Sequence, residues 1–381
     1  MGSSYTPRQR IMNAFQHVAS DRVPIDFGST DNTGITKDAY ENLKKYLRID
    51  EPTRILSRNL STVYVDEIVL KRFNVDTRGV IPGGSDEWRD IELAPDKYID
   101  EWGITYYRPQ NSPFYDALKN PLSGELSSKI IREYPWPDPH SKGRLRGMRG
   151  RVNYLRGHTD YAIVLHVIGG FITRSQYLRG LGQWLEDLAA EPELLGELLD
   201  RTLQYQITLA MDALNECNFD VDVVHFGDDL GMQTGLMFSP KTYREIIKPR
   251  QKELFGIVKE YTKAKILLHT CGSNYDILDD LIEIGVDALN PVQTNAKNME
   301  PDKLKREFGD RLTFWGGIDT HIPSSVGSTR EIEEEVKRVI DIMAPGGGYI
   351  LNSIHNIQPN ISPENICALF DTAFEYGGRQ N

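Results

Sequence analysis

The chain has 381 residues, 39% of them hydrophobic, a formal net charge of −11 and three cysteines. A chain of this length buries a large core, contains no apolar run near the ~20 residues of a membrane span, and is too acidic for a broad nucleic-acid or anionic-membrane surface. Three sparse cysteines imply reduced thiols rather than a disulfide framework. The opening Met1-Gly2-Ser3-Ser4-Tyr5 has no apolar signal core, so a cytoplasmic protein is expected.

In chain order, a helical segment over 8–18 precedes a strand over 23–27, and a second strand falls near 75–80. Residues 81–158 are rich in Pro, Trp, Tyr and charge and lack a clear period, which predicts a long insertion near the mouth of the fold. Thereafter the rhythm is regular. A strand over 162–168 is followed by helices over 184–190 and 193–216, the latter carrying a stripe of Leu194, Leu195, Leu198, Leu199 and Leu203. A strand over 221–226 leads to a helix opened by Ser239-Pro240, and the next strand is 265–269. Asn274 caps a helix that runs to Ile284 and stops at Gly285; then come a strand over 287–290, a helix over 301–308 and a strand over 312–315. Ser328 and Glu331 have capping-box spacing for a helix to Met343. Gly346-Gly347-Gly348 reads as a turn, 348–354 as a strand, and Ser362-Pro363-Glu364 opens the last helix. Six strand–helix units, completed by the two earlier strands, in one domain over 1–381 predict an α/β fold, a (β/α)8 TIM barrel with an insertion near its mouth. An open doubly wound sheet is disfavoured, because no Gly-rich phosphate turn follows the first strand.

In such a barrel, chemistry collects where strands end. His269-Thr270-Cys271-Gly272 ends the apolar run Ile266-Leu267-Leu268, and a two-residue period points His269 and Cys271 the same way. Imidazole and thiolate on one point suit Zn²⁺; a packed core histidine beside a small thiol is the plainer alternative. His355, at the end of the last strand, is the natural third ligand and leaves a fourth position open. Asp228 and Asp229, after 221–226, are candidates for a metal-orienting partner or a further ligand. Asp76 and Arg78 lie around the second strand. Asp26, Gly169, Gly170, Asn290, Gln293 and Asp319 sit at other strand ends and are candidates for substrate contacts.

Several phrases resemble the uroporphyrinogen decarboxylase superfamily, which includes the corrinoid-dependent methyltransferases: Pro7-Arg8-Gln9-Arg10 through Asp21-Arg22-Val23-Pro24, Phe314-Trp315-Gly316-Gly317-Ile318-Asp319, and Ala344-Pro345-Gly346-Gly347-Gly348-Tyr349. The resemblance covers nearly the whole chain and implies the same barrel. The decarboxylases are similar around His355, where Ile354-His355-Asn356-Ile357-Gln358-Pro359 matches a Gly-His-Gly-Leu-Tyr-Pro phrase. They carry arginines after the first strand, however, where this chain reads Phe27-Gly28-Ser29-Thr30-Asp31-Asn32. A substrate with eight carboxylates needs cationic donors. The zinc methyltransferases have a His-x-Cys matched by His269-Thr270-Cys271, and a final Cys where this chain has His355.

The resemblance therefore implies a cytoplasmic, zinc-dependent methyltransferase moving a methyl group between a small methylated compound or thiol and a methylcorrinoid supplied by a partner protein. His269, Cys271 and His355 would hold Zn²⁺, and a homodimer is the default assembly. A second reading is a metal-free decarboxylase of a tetrapyrrole or related acid, with Asp76 and Asp228 stabilising protonated pyrroles, Arg78 gripping carboxylates and His355 handling protons. A third is a corrinoid- or tetrapyrrole-binding barrel without turnover.

Overall fold

The computed structural model describes residues 5–110, 112–319 and 328–378; the opening Met1–Ser4, read above as part of the signal-free start, lies outside them. Seven parallel strands form one curled sheet in chain order: β1 Thr77–Val80, β2 Ala162–His166, β3 Val223–Gly227, β4 Lys265–His269, β5 Ala288–Asn290, β6 Thr313–Trp315 and β7 Tyr349–Ile350. Residues 24–26 join its two edges. Leu351 N–H donates to Pro24 O, Asp26 N–H to Leu351 O, and Asp76 N–H to Ile25 O. The expected first strand is thus a stave with a single bridge, Ile25 to Leu351, instead of a ladder. Pro24 has no N–H to give, and the Ile25 N–H is taken by the Asp76 carboxylate at 2.8 Å. The last strand is likewise shorter than expected, with only Tyr349–Ile350 in the ladder.

Alternation along the strands sends Ala162, Val164, Val223, Leu267, Ala288, Trp315 and Ile350 into the barrel, where they meet Ile11, Ala14 and Phe15 of the helix Pro7–Phe15. That helix plugs the N-terminal end of the barrel. It starts at Pro7 behind a capping box in which Thr6 and Gln9 satisfy each other's backbone N–H groups. Phe15 and Trp315 pack at 6.3 Å between centroids, and each fully buried aromatic contributes roughly 1.5–3 kcal/mol. With the lower interior filled, the cavity inside the ring of strand ends lies at the C-terminal end.

The insertion over 81–158 is more ordered than its sequence suggests. Ile91–Ala94, Lys97–Ile99, Thr105–Tyr107 and Asp116–Lys119 form a four-stranded antiparallel sheet, and Met148–His158 is a helix burying Met148, Val152 and Leu155. None of the helices among the described residues is long and apolar enough to cross a membrane.

Candidate metal centre

The end of β4 carries the centre. His269 is its last residue, and the following turn is held by side chains from both neighbouring strands: Asp229 Oδ1 accepts the Cys271 N–H at 2.8 Å, and Gln293 Oε1 accepts the Gly272 N–H at 2.7 Å. Gly272 has φ +83°, and a Cβ there would meet the Gly231 carbonyl carbon at 2.4 Å, so only glycine makes this turn. Asn290, fully buried on β5, donates through Nδ2 to Trp315 O at 3.0 Å. That fixes the amide so that its Oδ1 faces His269 Nδ1 at 2.5 Å. The ring proton therefore resides on Nδ1, and Nε2 keeps its lone pair for a ligand, 3.4 Å from Cys271 Sγ.

His355 completes the triangle. One ligand atom from each of His269, Cys271 and His355 lies within 4.8 Å of the others. Bonds of about 2.0–2.1 Å to nitrogen and 2.3 Å to sulfur put the edges of a zinc tetrahedron at about 3.5 Å. The His269–Cys271 edge already matches, and two imidazoles with one thiol make a zinc-type donor set. His355 is the arm that must adjust, since its Nδ1 accepts the Asn356 N–H at 2.8 Å and the neutral ring then carries its proton on Nε2. Turning the ring frees a lone pair at the cost of that contact. Burial, and then Asp229, hold the Cys271 thiol well above its ordinary pKa, which keeps it neutral without a cation. A bound cation reverses that preference.

Two histidines that sequence reading had passed over as strand residues join this group. His166, at the end of β2, and His225, on β3, meet Nδ1 to Nδ1 at 2.7 Å, and His166 Nε2 lies 3.0 Å from Asp31 Oδ1. Ring centroids run 4.7, 6.2 and 5.4 Å apart from His166 through His225 and His269 to His355. Burial, then His166 and His269, depress His225 far below the usual histidine range. Burial works to raise Asp31; His166, then His269 and His355, outweigh it and hold the carboxyl below its ordinary value. The signal for both histidines was available, because they are the polar residues at inward positions of otherwise apolar strands.

The remaining candidates divide. Asp229 stands 4.0 Å from His269 Nε2 and, with Gly169 and Gly170, borders the cavity over the triangle. Gly170 leaves no room for a side chain: a Cβ would lie 1.9 Å from Gly227 O and 2.0 Å from Asp228 Oδ1. Asp228 turns from the cavity to accept the Thr173 N–H at 2.9 Å, at the start of the helix Phe171–Arg179, and burial pushes its carboxyl up to about 7. Asn290 and Gln293 hold His269 and the turn that carries Cys271. Asp26 lies beneath, fully buried, accepting from Thr77 Oγ1, Trp315 Nε1 and Asn352 Nδ2, and burial raises its pKa. Asp319 accepts from Asn295 Nδ2 at 3.0 Å and does not border the cavity.

Asp76 and Arg78 are not brought to the mouth. Asp76 precedes β1 and so lies at the opposite end of the barrel, paired with Arg22 at 2.7 Å and Arg10 at 3.2 Å. Arg78 points outward from β1, forks onto Glu67 at 2.8 and 2.9 Å and stacks 3.5 Å over Tyr161. In a strand only alternate side chains face inward, here Thr77 rather than Arg78. The aromatic walls of the cavity are Tyr106 and Tyr177. Trp136, in the insertion, donates to Ile131 O and packs on Trp102 and Tyr134.

Residues 119–376 match the family model described as uroporphyrinogen decarboxylase (URO-D). Similar curated proteins of that name include one from Thioalkalivibrio sulfidiphilus, 24% identical over 263 residues, 65% of this chain and 69% of the relative. One from Psychromonas ingrahamii is 26% identical over 326 residues, 80% of each chain. One from Pseudoalteromonas translucida is 25% identical over 195 residues, only 51% of its length. Among solved structures, a methyltransferase from Methanosarcina mazei superposes with a TM-score of 0.64 over 98% of this chain and 99% of its own, at 18% identity, a likeness of fold.

Proposed function

The chain belongs to the uroporphyrinogen decarboxylase family, and from that premise we propose that it is a zinc-dependent methyltransferase, exchanging a methyl group between a small methylated compound or thiol and a corrinoid carried by a separate protein. The observation that carries this reading is the convergence of His269, Cys271 and His355 on one point at the barrel mouth, with Asn290 fixing the ligand tautomer of His269. Bound zinc would supply a Lewis acid that lowers the pKa of a thiol or polarises a methoxy oxygen. The protein's share is positioning. Asp229 and Gln293 fix the ligand turn, and the Asp31–His166 pair stands on the cavity wall as a carboxylate–imidazole couple able to hold a proton. The cavity over the triangle measures about 200 Å³, below the ~300–1,000 Å³ typical of small-ligand pockets. It suits a small substrate inside and a flat macrocycle laid across the opening.

Charge weighs against the decarboxylase reading. Arg174 is the sole lysine or arginine bordering the cavity among the described residues, while Asp31 and Asp229 both face it. Eight carboxylates would find one guanidinium. Asp76 and Arg78, on which that reading relied, are committed to ion pairs elsewhere. Elemental analysis of the purified protein tests the proposal. One zinc per chain, lost on Cys271→Ser, is the expected result; zinc-free protein that consumes a porphyrinogen would replace this reading with the decarboxylase one.

A further inference from the structure

Arg174, on the helix Phe171–Arg179, is a guanidinium short of acceptors. Its side chain is only 21% exposed, yet its nearest counter-charge, Asp100, is 3.7 Å away, beyond hydrogen-bond length. None of its five N–H donors has a hydrogen-bond acceptor among the described residues. The aim of the group is nevertheless fixed: the guanidinium lies 4.4 Å over the Trp102 ring. Asp100 turns Oδ2 toward it at that distance, while its Oδ1 accepts the Trp102 and Ile104 N–H groups at 3.0 and 2.9 Å. Burial, against the pull of Arg174, pushes Asp100 up to about 6.

The position of Arg174 is as informative as its missing acceptors. It borders the cavity over the His269–Cys271–His355 triangle, and also a second cavity of about 370 Å³ between the barrel and the insertion, walled by Trp102 and Tyr205. Ile168 and Gly169 border both, so Arg174 stands at the junction. The other cation of the second cavity, Arg144, is spent on Glu101 through two bonds of 3.0 and 2.5 Å. A half-buried, oriented guanidinium with unfilled donors matches a planar anion in both charge and geometry.

We propose that Arg174 docks a carboxylate of the substrate, so that the compound exchanged at this site is a small methylated or thiol-bearing carboxylic acid whose reactive end reaches the metal triangle. This rests on the methyltransferase reading and adds the substrate class to it. Tyr106 and Tyr177, the aromatic walls of the cavity over the triangle, would cover the hydrocarbon portion. A neutral compound would leave the guanidinium desolvated and unpaired, which selects against it.

Calorimetric titration of the purified full chain with methoxyacetate, methylthioacetate and anisate, each against its alcohol (methoxyethanol, methylthioethanol and anisyl alcohol), tests the proposal without requiring turnover. At least one acid should bind, with its alcohol about tenfold or more weaker. Arg174→Gln should weaken that acid by about tenfold or more, and Arg174→Lys should recover part of the loss in a protein that melts like wild type. Failure of all three acids to bind, an alcohol equal to its acid, or a folded Gln variant equal to wild type would each overturn it. Repeating the titration on Cys271→Ser separates the two claims. Acid binding kept there in a protein that never held zinc sinks the metal reading alone, whereas zinc without acid binding sinks the carboxylate subsite alone.

Discussion

Replacing Asn290 by alanine probes how the barrel prepares His269 for a metal. The Asn290 amide is held by Trp315 O, and through its oxygen it keeps the ring proton on Nδ1. Without it the imidazole is free to carry its proton on Nε2 toward Cys271, the tautomer that cannot ligate. Removing an outer partner of this kind costs about 10–100-fold in metal affinity, or about 1.4–2.8 kcal/mol. The folded protein loses about 1–3 kcal/mol more for the buried donor left unpaired. Competition against a chromophoric zinc chelator reads the affinity, and a thermal melt of zinc-stripped protein reads the stability separately. Asn290→Asp retains an acceptor for Nδ1 and should recover most of the affinity. A folded Asn290→Ala protein that holds zinc with the wild-type Kd would refute the argument that Asn290 prepares this ligand.

Other expectations follow from side chains the site does and does not use. Asp76→Asn breaks the buried cluster with Arg10 and Arg22 and should cost about 3–5 kcal/mol in urea unfolding. Its zinc content should stay at the wild-type level, and a loss of zinc without a loss of stability would count against the structural role. Asp228 has a folded value of about 7, above the ~3.9 of an unfolded chain. The folded state therefore binds that proton more tightly, and stability falls as pH rises from about 4 to about 7 and stays reduced above. The full term is on the order of 4 kcal/mol. In zinc-stripped protein, Asp228→Asn should gain more relative to wild type at about pH 8 than at about pH 5, and an equal difference at both would contradict the assignment. Gly170→Ala drives a Cβ into Gly227 O and Asp228 Oδ1 and should destabilise by about 3 kcal/mol or more, whereas Gly182→Ala, facing open space, should melt like wild type.

Where local chemistry and tertiary packing agree, the sequence was an accurate guide. The apolar run at 265–269 is the observed strand β4, 301–308 is the observed helix, and the Ser328–Glu331 capping box and the Ser362 cap open helices as expected. The edges were harder. Residues 23–27 have strand composition, but Pro24 and the Asp76 carboxylate replace the ladder, a substitution visible only once the two segments are neighbours. The helix Met148–His158 buries three positions among arginines and glycines, too few to raise a periodic signal. At the site, His269, Cys271 and His355 were legible because His269 ends a strand, Cys271 follows it at the same two-residue period and His355 lies past the last strand. Asp76 was misplaced because an acid just before a short strand looks the same in sequence as one just after it, although the two lie at opposite ends of the barrel. His166 and His225 needed the register that pairs them across β2 and β3.

Zinc K-edge absorption of the purified protein is the most direct measurement of the central claim, because it counts the atoms around the metal. One sulfur at about 2.3 Å and two imidazole nitrogens at about 2.0–2.1 Å should surround each zinc, with one imidazole gone in the zinc that His355→Ala retains. A spectrum without sulfur, or two imidazoles still present in His355→Ala, would contradict a centre built from His269, Cys271 and His355.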